Sequence, residues 1–434
     1  MSSQVMRLFH KSYQLFKHDS LYRNSIILIL DTAMIGMAGF IFWIIGARLY
    51  TQNQLGLTVT LVAAASLLAS ISQLGFDNTF TRYLGKHVNP RSLYETGVSV
   101  VALAAIVLGA GFVLVYPHFS PGLRFLSDNL FQSGLFIFFV VATALNALTN
   151  AVFLAFRKAQ HTLYANISLI AAKLLLPWIL IGFSGLGLYL SFVVGTAGGA
   201  LTSFWLIWKH QELLPRLNIE KQEVAKVAGY SIGTYAGNLL QNTPQLVLPL
   251  IVTAELGAQQ SAIFYLAMMA CNLINIIPVS AASSVFAEGS SDEASIYQHL
   301  KKAATLVAII LTPILALVLI FSGMVMQIFG KNYGVSADHV LQLLALSSIF
   351  LAVSNLTTAA MKVLGQTKTI VAINTIGTTV ILGSIILFAH DGLIAIAALW
   401  TAGQAFLGLM FLVVLALRLR PKNAPAQTTL ASNV

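Results

Sequence analysis

Residues 96–117 read TGVSVVALAAIVLGAGFVLVYP, twenty-two positions without one charged side chain. As a helix rising ~1.5 Å per residue this stretch is about 33 Å long, enough to cross a hydrocarbon layer ~30 Å thick. Comparable apolar runs fill the chain on both sides, at 24–48, 57–81, 133–155, 163–184, 186–208, 227–253, 261–286, 302–328, 338–361, 369–389 and 392–417. Over all 434 residues 57% of side chains are hydrophobic and 9% charged, where soluble chains carry roughly 25% charged residues. That balance excludes a water-soluble enzyme with one buried core, a disordered chain and a secreted disulfide scaffold. Cys271 is the single cysteine, has no intrachain partner, and sits in an apolar run as a small buried thiol. The expectation is an all-α polytopic membrane protein with about 12 transmembrane helices.

The cations assign the sides. Alternate loops, together with both tails, hold Arg7, Lys11, Lys17, Arg23, Arg82, Lys86, Arg91, Arg157, Lys158, Lys209, Arg216, Lys221, Lys226, Lys301, Lys302, Lys362, Lys368, Arg418, Arg420 and Lys422. The opposite loops hold only Arg48, Arg124 and Lys331, and Lys173 stays inside a span. Cationic loops remain in the cytoplasm, so a multi-pass protein of the cytoplasmic (inner) cell membrane with both termini inside is expected. The net charge of +10 then reports topology, and no nucleic-acid partner is expected. The first span is too long for a signal-peptide core and lacks a small-residue cleavage site, so no cleavable leader is expected. Residues 1–23, with Leu8, Phe9, Tyr13 and Phe16 among basic residues, read as an amphipathic segment on the cytoplasmic surface. Residues 418–434 read as a disordered cytoplasmic tail.

Shifting the chain by 206 residues superposes its two halves. Ser25-Ile26 falls on Ser231-Ile232, Gln54 on Gln260, Phe80 on Phe286 and Gln160 on Gln366. All six spans keep their order and spacing without a second offset. Two pseudo-symmetric six-helix lobes follow, 24–208 and 227–417, joined by a cytoplasmic linker 209–226. Repeats inserted in the same orientation are related by an axis along the membrane normal, with a central cleft between them as the transport path.

A helix lining a wet cleft needs one polar face. In the seventh run Tyr230, Thr234, Asn238, Gln241 and Gln245 recur at helical spacing, with Pro244 and Pro249 beside them. In the second run Ser66, Ser70, Gln73 and Asp77 do the same, and the eighth carries Asn272, Asn275 and Ser283. Interhelical hydrogen bonding would explain any one of these; stripes in both halves point to substrate contact. Charges at depth are costly. Lys173, which shares a face with Asn166, is a candidate for a substrate phosphate or sugar acid, and its alternative is an ion pair with Asp31. Asp31 and Asp77 are the candidates for a coupling ion. Arg48, at the outer end of the first run, is either a substrate cation or a snorkelling side chain.

No GxxxxGK[ST], HExxH or CxxC pattern occurs, the histidines are scattered, and no loop is large enough for a catalytic domain. Neither an enzyme nor a cofactor is expected.

Ala47-Arg48-Leu49-Tyr50, then Gln54-Leu55-Gly56, Gln73-Leu74-Gly75-Phe76-Asp77 and Thr81-Arg82-Tyr83 resemble the polysaccharide biosynthesis protein family. These are the oligosaccharide flippases of the multidrug/oligosaccharidyl-lipid/polysaccharide (MOP) exporter superfamily. Ala155-Phe156-Arg157-Lys158-Ala159-Gln160 extends the likeness. The resemblance implies a two-lobed bundle that moves a lipid-linked oligosaccharide, a polysaccharide repeat unit, to the outer leaflet by alternating access with ion coupling. It further implies membrane lipids as surroundings, and the polymerase and glycosyltransferases of one cell-envelope pathway as partners. Family members commonly have acids before the loop glycine, where this chain has Gln52, Asn53 and Gln54. The nearest alternative is a cation-coupled multidrug efflux antiporter of the MATE type. A major facilitator lacks support, because its GxxxDRxGRR-like loop is absent.

Overall fold

The computed structural model describes residues 20–292 and 295–419, with side chains apart from those of 20–26, 29, 184–185, 226–234, 238, 291, 335–336 and 418–419. The amphipathic segment expected before residue 20 and the tail expected after residue 419 lie outside the described residues. Among them no strand occurs. The helices are α1 (Ser20–Leu49), α2 (Gln52–Ser72), α3 (Phe76–Tyr83), α4 (Pro90–Val115), α5 (Leu130–Ala155), α6 (Ala159–Ile179) and α7 (Gly187–Gln211). There follow α8 (Lys221–Leu256), α9 (Ala258–Ser291), α10 (Ile296–Gln327), α11 (Asp338–Val363), α12 (Thr367–Phe388) and α13 (Leu393–Leu419). Short helical turns, such as Phe125–Asp128 and Lys331–Ser336, connect some of them.

Among the described residues eleven helices are long and apolar enough to cross a membrane. They match eleven of the twelve expected runs, and the seventh run falls on α8. The chain is a multi-pass membrane protein. Helix starts follow local chemistry. Thr51 caps α2 reciprocally: its hydroxyl accepts from Gln54 N at 3.3 Å, and the Gln54 side chain accepts from Thr51 N at 3.1 Å. Asn89 caps α4 with Pro90 in its first turn, and Asn129 caps α5 by accepting from Phe131 N. The internal repeat is legible in these starts. Adding 206 to Gln52, Pro90 and Gly187 gives Ala258, Ile296 and Leu393, where α9, α10 and α13 begin.

One expected span is corrected. The run 57–81 is not one helix: α2 ends at Ser72, Leu74 and Gly75 both adopt positive φ (48° and 86°), and α3 starts afresh at Phe76. Left-handed backbone suits glycine, and the turn is closed by Phe76 N donating to Gln73 O at 2.8 Å. In the second half the equivalent stretch of α9 continues unbroken to Ser291. The fifth run is also shorter than expected, since α6 stops at Ile179, two residues after Pro177, and a 3-10 turn Ile181–Leu186 follows.

By packing, the chain divides into two compact units. One comprises Met1–Met269, Ser322–Val340 and Ile386–Ile396. Its core joins α2, α3, α4, α5 and α7 through residues such as Leu61, Phe80, Tyr94, Phe136, Phe139 and Tyr189. The seventh span belongs here too: Thr253 and Thr60 share a short hydroxyl–hydroxyl hydrogen bond, and Tyr116 Oη donates to Leu250 O at 2.7 Å; at the start of α9, Gln259 Nε2 donates to Gln52 Oε1 at 2.7 Å. The linker after α7 is fastened to the first turns of α4. Ser99 Oγ donates to Arg216 O (3.1 Å) and accepts from Asn218 N (3.0 Å), Thr96 Oγ1 accepts from Glu220 N (3.1 Å), and Glu95 accepts from Arg91 (2.8 Å) and Asn218 (3.4 Å). The other unit comprises Ala270–Phe321, Leu341–Ile385 and Ala397–Val434. In it Gln342 Nε2 donates to Leu319 O, and Thr401 Oγ1 donates to Leu343 O.

Candidate functional site

Beside the break between α2 and α3 lies a cavity of 390 Å³ in the first unit, whose polar wall groups come from Ser66, Ser70, Gln73, Asp77, Asn78, Thr143, Tyr235 and Asn242 and whose remaining wall is Ala69, Ala147 and Leu239. Gln73 and Asp77, on either side of the turn at Leu74–Gly75, both border this space. Gln73 Nε2 donates to Ala144 O at 2.8 Å, pinning the amide to α5. Its Oε1 is buried without a partner among the described residues, an arrangement that costs stability unless a donor arrives. Tyr235 Oη donates to Ile71 O at 2.7 Å, tying α8 to the last turn of α2. Ser66, Ser70 and Thr143 return their hydroxyl protons to carbonyls on their own helices, which leaves their oxygen lone pairs facing outward.

Asp77 is the one charged residue in this wall. It lies on α3, beyond the end of the second membrane span. Burial raises its carboxyl above the ordinary carboxylate range, and backbone N–H groups of Asn78 and of Asp77 itself pull the other way. Asn78 Nδ2 donates to Asp77 Oδ1 at 3.2 Å.

The alternative reading of the two intramembrane charges, an ion pair between Asp31 and Lys173, does not form. Asp31, 5% exposed, accepts from Asn166 Nδ2 at 3.0 Å on each oxygen. Lys173, two turns further along α6, holds its ammonium 3.5 Å from the centroid of the Phe192 ring, a cation–π contact. Gly195 on α7 admits the lysine stem, since a Cβ there would come within 2.9 Å of Lys173 Cγ. Lys173 and Asn166 share a helix face as expected, but it is Asn166 that reaches Asp31.

Arg48 also differs from the snorkelling expectation. Its Nε and Nη2 donate to Ile328 O at 3.2 and 2.9 Å, and Tyr50 Oη donates to Pro177 O at 2.8 Å. The Ala-Arg-Leu-Tyr segment therefore fastens the end of α1 to the ends of two other helices.

The polar stripe of the seventh span is partly outside the described side chains, namely Tyr230, Thr234 and Asn238. Gln241 and Gln245 are exposed and do not line the cavity. The cavity face of α8 is instead Tyr235, Leu239 and Asn242, each one residue on from the expected stripe, a rotation of ~100° on a helix. Asn78, Thr143, Tyr235 and Asn242 were missed by periodicity. On α9, in the other unit, Asn272 is exposed, Asn275 Oδ1 is buried without a partner among the described residues, and Ser283 donates back to Val279 O.

Comparison with known proteins places this geometry. The profile of a family described as polysaccharide biosynthesis protein matches residues 45–338. A Shigella flexneri protein whose name proposes an O-antigen transporter is 27% identical over 121 residues, a match spanning 27% of this chain and 29% of that protein. Among solved structures, the lipid II flippase MurJ in an inward closed conformation aligns with a TM-score of 0.73 at 15% identity, covering 91% of this chain and 87% of that one. An inward-facing MATE multidrug resistance transporter of the MOP superfamily aligns at 0.67 and 13% identity, covering 88% and 94%. A MOP transporter from Pyrococcus furiosus, described as having reversed pocket polarity, aligns at 0.56 and 13%, covering 92% and 95%. The fold is that of MOP-superfamily transporters.

Proposed function

Since the chain belongs to the polysaccharide biosynthesis protein family, we propose that it is a flippase carrying a lipid-linked oligosaccharide across the cytoplasmic membrane by alternating access. The observation that supports this reading is the set of amides and hydroxyls around the 390 Å³ cavity. That volume falls within the ~300–1,000 Å³ typical of small-molecule sites. A sugar crossing a bilayer must exchange each water hydrogen bond for a protein one. Ser66, Ser70, Gln73, Asn78, Thr143, Tyr235 and Asn242 supply donors and acceptors for that exchange. The lobes 24–208 and 227–417 would rock to carry the head, and the cation count supports both termini in the cytoplasm. Asp31 is the coupling candidate, because it is an acid at depth whose hydrogen bonds come from a neutral amide rather than a lysine.

The same cavity supports a second reading. Among the described residues its one charged wall residue is an acid, Asp77, and no lysine or arginine lines it. That favours a neutral or amino-bearing glycan over a strongly acidic one, and it equally suits a cationic drug carried by a MATE-type antiporter. Deleting the gene separates them. The flippase reading expects lipid-linked oligosaccharide trapped on the inner leaflet and restored export with the wild-type gene. Drug hypersensitivity without such trapping overturns it.

A further inference from the structure

The first turn of α6 and the last turn of α7 bring two imidazoles together. Gly195, Gly199 and Ser203 recur every fourth residue on α7, and small residues at that spacing let helix backbones approach closely. A Cβ on Gly199 would come within 3.1 Å of Leu169 Cβ, and Ser168 and Thr202 share a hydrogen bond at 3.1 Å. Followed toward the end that carries Arg157, Lys158 and Lys209, this antiparallel contact finishes with His161 on α6 and His210 on α7. Their ring centroids lie 4.4 Å apart, with planes inclined at 44°. The positions 206 residues on are Thr367 and Ala416, so the pair belongs to one half alone, and neither ring borders the 390 Å³ cavity.

Each ring is held by its surroundings. His161 is 4% exposed, and its ring centre lies 5.7 Å from that of Phe153 on α5. Its Nδ1 is buried without a partner among the described residues. His210 is exposed, and its Nδ1 lies 3.1 Å from Leu206 O. Two lone pairs would repel at that distance, so Nδ1 carries the proton and donates, and Nε2 of His210 keeps the lone pair. A ring nitrogen donating to a backbone carbonyl is how metal-binding imidazoles are oriented.

A metal ion binds an imidazole nitrogen in the ring plane, which puts it about 3.2 Å from the ring centre. Parallel stacked rings have no line common to both planes; rings inclined at 44° do. At a separation of 4.4 Å the two rings subtend about 90° at a shared ion, whereas a tetrahedral pair would stand about 5.2 Å apart. The smaller angle is the cis angle of square-planar and octahedral coordination, the preference of Cu²⁺ and Ni²⁺. Two cations flank the pair. Lys158 acts on His161 through space, and Lys209 turns its ammonium onto the Trp205 ring, 4.8 Å from the centroid. They oppose a dication, so the site selects ions with the strongest affinity for imidazole. No third His, Cys, Asp or Glu completes a group among the described residues, and water takes the remaining positions. We propose that His161 and His210 form a two-imidazole site for a divalent late transition-metal ion, Cu²⁺ or Ni²⁺, which ties the end of α6 to the end of α7.

The test titrates the full-length protein, in detergent and free of any purification tag, with CuCl₂ and NiCl₂ in a non-chelating buffer. The tightest site of wild type is expected to take one equivalent, and the electron paramagnetic resonance spectrum of its Cu²⁺ form should show two imidazole nitrogens. His210→Ala, at an exposed position, and His161→Phe, which keeps a ring against Phe153, should each weaken that site about tenfold or more. Lys158→Gln, which removes a flanking charge, should tighten it severalfold. His390→Ala, and His10→Gln with His18→Gln, should leave it unchanged, because those histidines lie elsewhere in the chain. His210→Ala needs no repacking of the interior, so it decides the matter even if His161→Phe fails to fold. Wild-type affinity in His210→Ala, a spectrum with a single nitrogen, or loss of the site with His10 and His18 overturns the proposal.

Discussion

Asn166 Nδ2 donates to both carboxylate oxygens of Asp31, 3.0 Å from each, so a neutral amide on α6 holds the acid of α1. Exchanging the two should conserve the bond. Asp31→Asn alone is expected to cut the dependence of transport on an imposed proton or sodium gradient by about tenfold, a loss near 1.4 kcal/mol of coupling. The double exchange Asp31→Asn with Asn166→Asp should restore protein level and part of the dependence. Identical gradient dependence in Asp31→Asn would make the pair purely structural.

Gln73 borders the cavity and is anchored through Ala144 O. Gln73→Ala removes its bond to Ala144 O, worth ~0.5–1.5 kcal/mol because that carbonyl keeps its intrahelical partner. It should reduce export strongly, whereas Gln245→Ala, on an exposed position of α8, should export as wild type. Export assays at matched membrane levels check this, and equal loss in both variants would return the wetted face to the stripe of Gln241 and Gln245.

Gly75 holds φ at 86°. A β-branched side chain there meets the left-handed penalty of roughly 1–2 kcal/mol, so Gly75→Val should lower the melting temperature in detergent and displace α3. Melting curves in detergent check this, and an unchanged melting temperature would mean that the turn accommodates the side chain.

Because burial raises the Asp77 carboxyl in the folded protein, the folded state binds more protons than the unfolded chain across the window just above the ordinary carboxylate range. Stability contributed by this residue is therefore present at low pH and lost as pH rises through the folded value. Thermal melts across mildly acidic to neutral pH should show that decline in wild type and a flatter profile in Asp77→Asn. Parallel profiles would mean that Asp77 does not titrate in this range.

The linker is held to α4 by Thr96 and Ser99, which accept from Glu220 and Asn218. Thr96→Val with Ser99→Ala removes both acceptors, at about 1 kcal/mol each. Proteolysis should then cut within 212–220 in intact membranes faster than in wild type.

The spans could be read directly from the chain because charge is so expensive in hydrocarbon that long neutral runs have few other uses. Side-chain rotation was harder to read. On α8 polar residues sit on adjacent faces, and periodicity favoured Gln241 and Gln245 over Tyr235 and Asn242, which share the wall with Gln73. The break at Leu74–Gly75 hid for a related reason. Ser66, Ser70, Gln73 and Asp77 keep helical spacing across it, so the pattern of an unbroken helix persisted where the backbone turns. Sign alone left two readings open for Asp31 and Lys173, a pair or separate roles, and distance decides between them: Asn166 and the Phe192 ring are the groups within reach.

The two halves begin several helices in step, yet α9 stays one helix, with Pro278 inside it, where its counterpart elbows at Gly75. The halves are therefore not interchangeable. The position 206 residues after Gly75 is Ala281, inside a continuous helix, so a side chain that strains the elbow meets no left-handed backbone in the other half.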